Sequence, residues 1–422
     1  MPYADAVGIR ARASSSEMPA KRRAPTAELA WAIAVASCLV WAMVHFSNDP
    51  HLLDLSVYRA EGFAVRHGLD LYGPIGAPYD LRATYPPFAA LAFVPLTAVP
   101  AGACIVLVTV ANVALLVAVV GLTARMLCRD DVVTSPLLVP LATAAGVWLQ
   151  PVSATLRFGQ INLLILALVL WDFAREPGSR CRGAALGLAV GLKVTPACFL
   201  VYLLLTRRTR FAVTATTTFA ATAVASWLVL PGETWRYWSS VLFQIDRVGD
   251  AMSTENQSLH GLLTRALDRP DVGVGGVVLT GLVAVAGLFA AVRAYRLGGE
   301  LWGVCTTAVT ALLTAPISWS HHWVWCIPIA LLLLRAGWAG GWGRRLALGL
   351  PLLAFVSYAH LSSPITHSQD PDLGLGVQVI SSPYPLFGLV LLLVLCTPLA
   401  RLIVEPTDRG GAQRRMPVWP SE

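Results

Sequence analysis

Long apolar runs recur along the whole chain, and they limit its possible folds more than any other feature. Hydrophobic residues make up 56% of the 422 residues and charged residues only 13%, whereas soluble domains carry about 25% charged residues. Several runs approach the ~20 residues that a helix needs to cross a bilayer. The sequence therefore predicts an all-α polytopic membrane protein.

About twelve of these runs are predicted to be transmembrane helices, and they fall at 29–46, 101–124, 135–149, 159–174, 183–193, 195–206, 211–230, 272–292, 300–318, 324–335, 345–360 and 384–404. The apolar stretch 89–99 is shorter, and we expect it to be a re-entrant or juxtamembrane helix. The chain then consists of a disordered cytoplasmic N-terminus (1–28), a single transmembrane domain (29–404) and a cytoplasmic tail (405–422).

The basic residues of the short loops orient the predicted helices. With the N-terminus in the cytoplasm and 89–99 not crossing, most of the 31 Lys and Arg residues fall on the cytoplasmic side, as the positive-inside rule requires. The polar motifs then gather on the outer face of a multi-pass plasma-membrane protein. The net charge of +7 does not indicate a nucleic-acid partner, because the basic residues form no stripe interleaved with aromatic residues.

A single carboxylate lies just after the first apolar run. Asp54 is flanked by Leu53 and Leu55, and Tyr58 follows one helical turn later. Burial near the bilayer surface favours the neutral acid and raises the pKa of Asp54, which suits a group that accepts a proton. The alternative is a polar cap on a juxtamembrane helix, since Asp is favoured at helix starts.

Lys193 lies inside an otherwise apolar run that Pro196 interrupts. A charge within the membrane is costly unless it meets water or a partner, so such a residue indicates a functional site. The alternative is a lysine whose long side chain reaches the interface without binding anything.

Two further polar groups lie between apolar runs. Arg157, Gln160 and Asn162 flank Gly159, where they either donate hydrogen bonds to an oxygen-rich ligand or cap helix ends. The triplet 256–258, Asn-Gln-Ser, is either a glycosylation sequon or a polar ligand contact.

His321 and His322 lie among tryptophans between two apolar runs. Tryptophans at such positions are typical of an interfacial belt. Adjacent residues of a helix point to different faces, so we expect at most one of the two histidines to face a shared cavity.

Several classes of chemistry lack their motifs. No phosphate-binding glycine loop, nucleophile elbow or cluster with metal-ligand spacing is present, so neither a metal nor a cofactor is expected. An outer carboxylate, basic residues at membrane depth and a hydrophobic body instead fit sugar transfer from a lipid phosphate. The base deprotonates the acceptor hydroxyl, and cations stabilise the departing phosphate.

The ordered motifs also resemble those of glycosyltransferase family 87, a member of the GT-C group. They are Asp54-Leu-x-Val-Tyr58, Tyr85-Pro-Pro, Phe158-Gly-Gln-x-Asn162, Gly191-Leu-Lys-x-Thr-Pro196, Asn256-Gln-Ser and Ser318-Trp-x-His-His322. The resemblance covers roughly 29–404. It implies a GT-C-type fold with its active site on the periplasmic face.

The resemblance implies inverting transfer of mannose from polyprenyl-phosphate-mannose to a glycolipid, a phosphatidylinositol mannoside, with an alpha-1,2 linkage. Asp54 would be the catalytic base, and His322 would lie near the reacting centre. Binding of the donor's phosphate and sugar is assigned to the other polar residues: Lys193, Arg157, Gln160, Asn162, His321, Arg59, Tyr58, Tyr85, Asn256 and Gln257.

Two alternatives stay open from the sequence. One is a GT-C enzyme that transfers another sugar or branches lipomannan, because pocket shape selects the substrates. The other is a lipid or sugar transporter or flippase, which would favour internal repeats that this sequence does not show. Besides the donor and acceptor, membrane lipids are the expected partners, and a monomer is expected.

Overall fold

The computed structural model describes residues 25–46, 52–127, 135–338, 340–362 and 375–404. The predicted tail, 405–422, and all but the last residues of the predicted N-terminal segment lie outside the described residues. The first helix begins at Pro25.

The described residues are almost wholly helical, and the single isolated bridge among them joins Asn256 to Trp319. The α-helices are α1 (Pro25–Phe46), α2 (Leu53–His67), α3 (Pro87–Phe93), α4 (Ala101–Leu127), α5 (Leu138–Gly146), α6 (Gln150–Phe158), α7 (Asn162–Phe173), α8 (Ala184–Leu192), α9 (Cys198–Leu205), α10 (Thr209–Val229), α11 (Pro231–Ser239), α12 (Leu259–Leu267), α13 (Gly273–Arg296), α14 (Glu300–Thr314), α15 (Cys326–Trp338), α16 (Trp342–Gly349), α17 (Leu375–Ser381), α18 (Pro383–Cys396) and α19 (Ala400–Val404). Short 3₁₀ segments lie at Pro78–Asp80, Val94–Ala98, Thr195–Ala197, Val241–Phe243, Ile245–Arg247, Ser320–Trp325, Leu350–Phe355 and Ala359–Ser362.

Fewer helices are long enough to cross a membrane than the sequence predicted. In the described ranges, four helices have the necessary length and apolar composition: α1, α4, α10 and α13. The pair α6 and α7 adds a fifth if it is one span, bent by 118°. The prediction of about twelve crossing helices is therefore not confirmed, although an all-helical membrane protein is.

The shortfall arises because the helices in the other predicted spans are short, and because some of those spans are interrupted. The predicted span 195–206, for example, becomes a 3₁₀ turn, Thr195–Ala197, followed by the 8-residue α9. At 1.5 Å per residue such a helix covers about 12 Å, less than half of the hydrocarbon core. The sequence predicts the apolar character of this stretch correctly, but hydrophobic composition does not indicate where a helix is interrupted.

The short stretch 89–99 forms α3 and the 3₁₀ segment Val94–Ala98, which pack against α2. This agrees with the prediction that it is too short to cross upright. A Cβ built on Gly62 would lie 2.7 Å from the carbonyl oxygen of Phe93. Glycine at this position therefore lets α2 approach the end of α3 closely, which fixes the helix that bears Asp54.

One continuous hydrophobic core forms between the central helices. Its fully buried members include Leu116 of α4, Leu166 of α7, Val190 of α8, Val309 of α14 and Ile329 of α15. The outer surfaces of α1, α10 and α13 instead expose large apolar side chains, as expected of helices in contact with lipid. The polar motifs are held at one end of this core.

Candidate active site

Helix α2 presents Asp54 in its first turn, directly after the chain leaves α1. The N-cap residue is Leu52, and no side chain forms a capping hydrogen bond there. The alternative of Asp54 as the helix cap is therefore not what the structure shows. Asp54 is half-buried, and Leu52 and Leu55 beside it are buried.

Gly159 brings a second polar motif against α2. It ends α6 with a left-handed backbone, φ 70°, and its Cβ position would lie 3.0–3.1 Å from side-chain atoms of Leu52 and Leu55. A residue with a side chain would be strained here both by its backbone and by this contact. Gln160 consequently reaches the carboxylate of Asp54.

Burial raises the pKa of Asp54 to about 6. A hydrogen bond with Gln160 and the positive charge of Lys193 oppose this rise, while the negative charge of Glu255 adds to it. A carboxylate with such a pKa is ionised at neutral pH yet binds a proton more readily than an ordinary aspartate. This is the behaviour that a general base needs.

Two tyrosines hold the side chain of Gln160 in place beside Asp54. The Tyr58 hydroxyl donates to Gln160 Oε1 at 2.8 Å, and the Tyr85 hydroxyl donates to the same oxygen at 3.2 Å. Tyr58 stacks on Phe93, with ring centroids 4.3 Å apart. The tyrosines therefore fix the amide of Gln160 from α2 and from the turn before α3.

Lys193 is the cationic end of the same network. It follows the last residue of α8, and its Nζ donates to Asn162 Oδ1 at 2.9 Å. The same nitrogen lies 3.1 Å from His322 Nε2 and 3.5 Å from the Tyr85 hydroxyl. Lys193 is buried among polar partners and does not extend to the interface alone.

We call the connected residues the site network: Asp54, Tyr58, Tyr85, Gln160, Asn162, Lys193 and His322. Its members come from α2, the turn before α3, the break between α6 and α7, the end of α8 and the 3₁₀ segment Ser320–Trp325. The structure thus brings Asp54, Lys193 and His322 together as the sequence predicted. Their catalytic and binding roles stay predictions.

The two adjacent histidines have different surroundings. His322 Nε2 contacts Lys193, whereas the His321 ring is buried between Phe158 and His322, with centroid distances of 5.4 Å and 4.9 Å. Neither ring nitrogen of His321 has a hydrogen-bond partner among the described residues. The backbone oxygen of His321 accepts bonds from Thr155 and Asn162, which ties the segment to α6 and α7.

Besides His321, four predicted binding residues lie outside the network. The Arg59 guanidinium donates to the carbonyl oxygens of Leu96 and Val99, so it supports the loop after α3. Arg157 is exposed at the end of α6.

The other two, Asn256 and Gln257, are fully buried, and we call them the amide pair. The Asn256 amide donates to the oxygens of Ala251 and Pro316, and its oxygen accepts from the backbone nitrogens of Ser258 and Ser318. Gln257 bonds to Thr254, Ser381 and Tyr384. All of these atoms have protein partners, so the amide pair holds loops together and offers no free group to a ligand or to glycosylation.

A cavity of about 60 Å³ lies beside the cationic end of the network. Asn162, Lys193 and His322 line one part of it, and most of the remaining wall is apolar, including Phe199 and Trp325. This lining combines a cation with an apolar wall, the two properties that a ligand with a charged head and a hydrocarbon chain requires, although the cavity is much smaller than the roughly 300–1,000 Å³ of typical ligand pockets.

The comparisons with known proteins agree with this arrangement. The model of glycosyltransferase family 87 matches residues 83–318. This chain belongs to glycosyltransferase family 87. It is 33% identical, over 76% of its length and 80% of the relative, to a polyprenol-phosphate-mannose-dependent alpha-(1-2)-phosphatidylinositol mannoside mannosyltransferase of Mycobacterium tuberculosis.

A second relative has a different printed acceptor. It is the polyprenol-phosphate-mannose-dependent alpha-(1-2)-phosphatidylinositol pentamannoside mannosyltransferase of Mycolicibacterium smegmatis, which is 32% identical over 83% of this chain and 88% of the relative. No solved structure matches the chain. Family 87 membership makes the protein a membrane glycosyltransferase, as predicted. Asp54 and His322 both lie outside the matched residues, Asp54 well before them and His322 shortly after them.

Sequence reasoning missed three polar residues of this family 87 protein. Gln150 is buried and donates to Ser320 at 3.0 Å. Glu61 is buried two helical turns after Asp54, and burial raises its pKa to about 8. The α-helical period along α2 could have identified Glu61, but only the fold reveals Glu255 beside Asp54.

The described residues contain no group of three or more His, Cys, Asp or Glu side chains placed to hold a metal ion. The expectation of a reaction without metal or cofactor was based on the sequence, and it stays a prediction.

Proposed function

We propose that the protein transfers mannose from polyprenyl-phosphate-mannose to a phosphatidylinositol mannoside on the outer face of the plasma membrane, forming an alpha-1,2 linkage. Membership of family 87 and the names of the relatives support this substrate pair. The observation on which the proposal chiefly rests is the site network, which joins a half-buried carboxylate to a cation that lines a partly apolar cavity.

Asp54 acts as the general base in this reaction. Its carboxylate is half-buried and bonded to Gln160, and its raised pKa of about 6 favours proton capture. Asp54 takes the proton of the acceptor hydroxyl as that oxygen attacks the anomeric carbon. The carbon–oxygen bond to the phosphate breaks in the same displacement, so a beta donor gives an alpha product without a covalent enzyme intermediate.

Lys193 and His322 act on the leaving group. The Lys193 ammonium is held by Asn162 and His322, so its charge is in place before the phosphate develops its second negative charge. A fixed cation in a site that excludes water stabilises such a charge more than solvent does. The apolar residues that line the small adjacent cavity, among them Phe199 and Trp325, mark where the hydrocarbon chain of the donor begins.

Reconstitution tests the proposal. The full chain in proteoliposomes is incubated with polyprenyl-phosphate-mannose and, separately, with phosphatidylinositol mannosides of low and high mannose content. Mass spectrometry detects added hexose, and an alpha-1,2-specific mannosidase checks the linkage. A mannosidase-sensitive product supports the proposal and identifies the acceptor class. Absence of product from a well-folded protein with either acceptor contradicts it.

A further inference from the structure

The segment before α12 holds a second carboxylate near Asp54. From Thr254 to Leu259 every residue is buried except Glu255, which is half-buried. Backbone hydrogen bonds fix the main chain around it. The backbone nitrogen of Ser320 donates to the carbonyl oxygen of Glu255 at 2.8 Å, and that of Gln257 donates to the carbonyl oxygen of Ser318 at 2.7 Å. Glu255 is thus attached to the segment that bears His322.

The half-buried carboxylate of Glu255 lies near the site network. Its charge acts on Asp54, and the charge of Arg157 at the end of α6 acts on Glu255. Two bonds tie α6 to the same 3₁₀ segment, one from Gln150 to Ser320 and one from Thr155 to the carbonyl of His321. The segment of Glu255 is therefore joined to the 3₁₀ segment that bears His322, whose ring contacts Lys193.

This placement divides the site by charge. A phosphate is attracted to Lys193 and repelled by a carboxylate, so the donor's leaving group belongs at the Lys193 end. A carboxylate held in place is a strong acceptor for hydroxyl groups. Among the described residues, no side chain donates a hydrogen bond to the Glu255 carboxylate, so its oxygens are available to a ligand.

We propose that Glu255 binds hydroxyl groups of the acceptor sugar and thereby positions the attacking hydroxyl at Asp54. This inference rests on the proposed function and adds to it a residue that selects the acceptor. Glu255 makes no bond to the transferred atoms. It orients the sugar whose neighbouring hydroxyl loses its proton to Asp54.

The test compares Glu255→Gln with the full-length wild type in proteoliposomes. The control is Asp246→Asn, which removes an exposed carboxylate from the same outer region. Two reactions are measured: transfer to a phosphatidylinositol mannoside, and hydrolysis of polyprenyl-phosphate-mannose without acceptor. We expect Glu255→Gln to raise the KM for the acceptor about 10- to 100-fold, the effect of losing charged hydrogen bonds. The donor KM and hydrolysis stay unchanged, and the control matches wild type.

The pH profile provides a second readout. Removing the negative charge of Glu255 lowers the pKa of Asp54, so the acidic limb of kcat/KM moves to lower pH. If Glu255→Gln does not fold, Glu255→Asp keeps the charge but shortens the reach. It should then raise the acceptor KM without moving the acidic limb.

The outcomes separate the two proposals. Wild-type protein that forms no mannosylated product contradicts the proposed function and, with it, this inference. Product from wild type, together with an unchanged acceptor KM in the folded variant, contradicts the role of Glu255 alone. An equal rise in the donor KM also overturns it, because Glu255 would then bind the donor sugar.

Discussion

The site network and the amide pair look alike in the sequence but differ in how their polar atoms are bonded in the fold. Both consist of short polar motifs beside apolar runs. In the amide pair, the amide atoms of Asn256 and Gln257 are bonded to protein partners. In the site network, Asp54 is half-buried, and Lys193 lines a cavity.

This difference shows how to separate structural from functional polar residues in a membrane protein. A buried amide with every hydrogen bond satisfied stabilises the fold, because leaving such a group unbonded is costly. A charged group that retains access to a cavity is costly to maintain and therefore indicates a ligand. The five predictions below test this distinction, from the largest expected effect to the smallest.

Asp54→Asn should have the largest effect. The substitution keeps the shape of the side chain but removes the base, so we expect transfer to fall by about 10²- to 10⁴-fold, the contribution of general base catalysis. Initial rates measure the loss, and the melting temperature in detergent should match that of wild type. Near-normal turnover by the folded variant would show that Asp54 is not the base.

Lys193→Met removes the charge and keeps an unbranched chain. We expect kcat to fall by about a hundredfold, as when one fixed donor to a developing negative charge is lost. Arg66→Gln is the matched control, because Arg66 is an exposed cation near the end of α2 with one weak bond to Thr97. Equal effects of the two substitutions would indicate a general charge requirement instead of a site at Lys193.

The pH dependence should follow the carboxylate of Asp54. Only the ionised form accepts a proton, and burial raises its pKa to about 6. We therefore expect kcat/KM to fall about tenfold for each pH unit below this value. An acidic limb near pH 4, the ordinary range of an aspartate, would show that burial does not control the base.

Asn256→Ala should act on stability and leave the chemistry almost unchanged. It leaves the buried nitrogens of Ser258 and Ser318 without their acceptor, so we expect the free energy of unfolding to fall by roughly 3 kcal/mol. Thermal melting measures this loss against Gln244→Ala, which changes an exposed amide. A large rise in the donor KM with unchanged melting would make Asn256 a ligand contact instead.

Chelation should have the smallest effect. The cationic residues of the site network can neutralise a lipid phosphate, so we expect activity to remain within experimental error after treatment with EDTA. Initial rates before and after dialysis measure this. Activity that is lost in EDTA and regained with manganese or magnesium would refute the prediction.

Local sequence patterns predicted some site residues well and others poorly. Asp54 and Lys193 were identifiable because a charge in an apolar setting needs an explanation that does not depend on the fold. Arg59 was assigned to donor binding, but in the fold its guanidinium donates to the backbone oxygens of Leu96 and Val99. Glu255 had no local signal, because an acidic residue in an outer loop is ordinary until the fold puts it beside Asp54.

The sequence alone determined the helical membrane class, the approximate helix positions and the polar motifs at their ends, because hydrophobicity and helix periodicity are properties of neighbouring residues. Only the tertiary structure decided which motifs meet and how many helices are long enough to span. Lys193 and His322 are 129 residues apart, yet their nitrogens are 3.1 Å apart. Such contacts depend on how many helices pack around one core and where each helix breaks, and no local pattern contains that information.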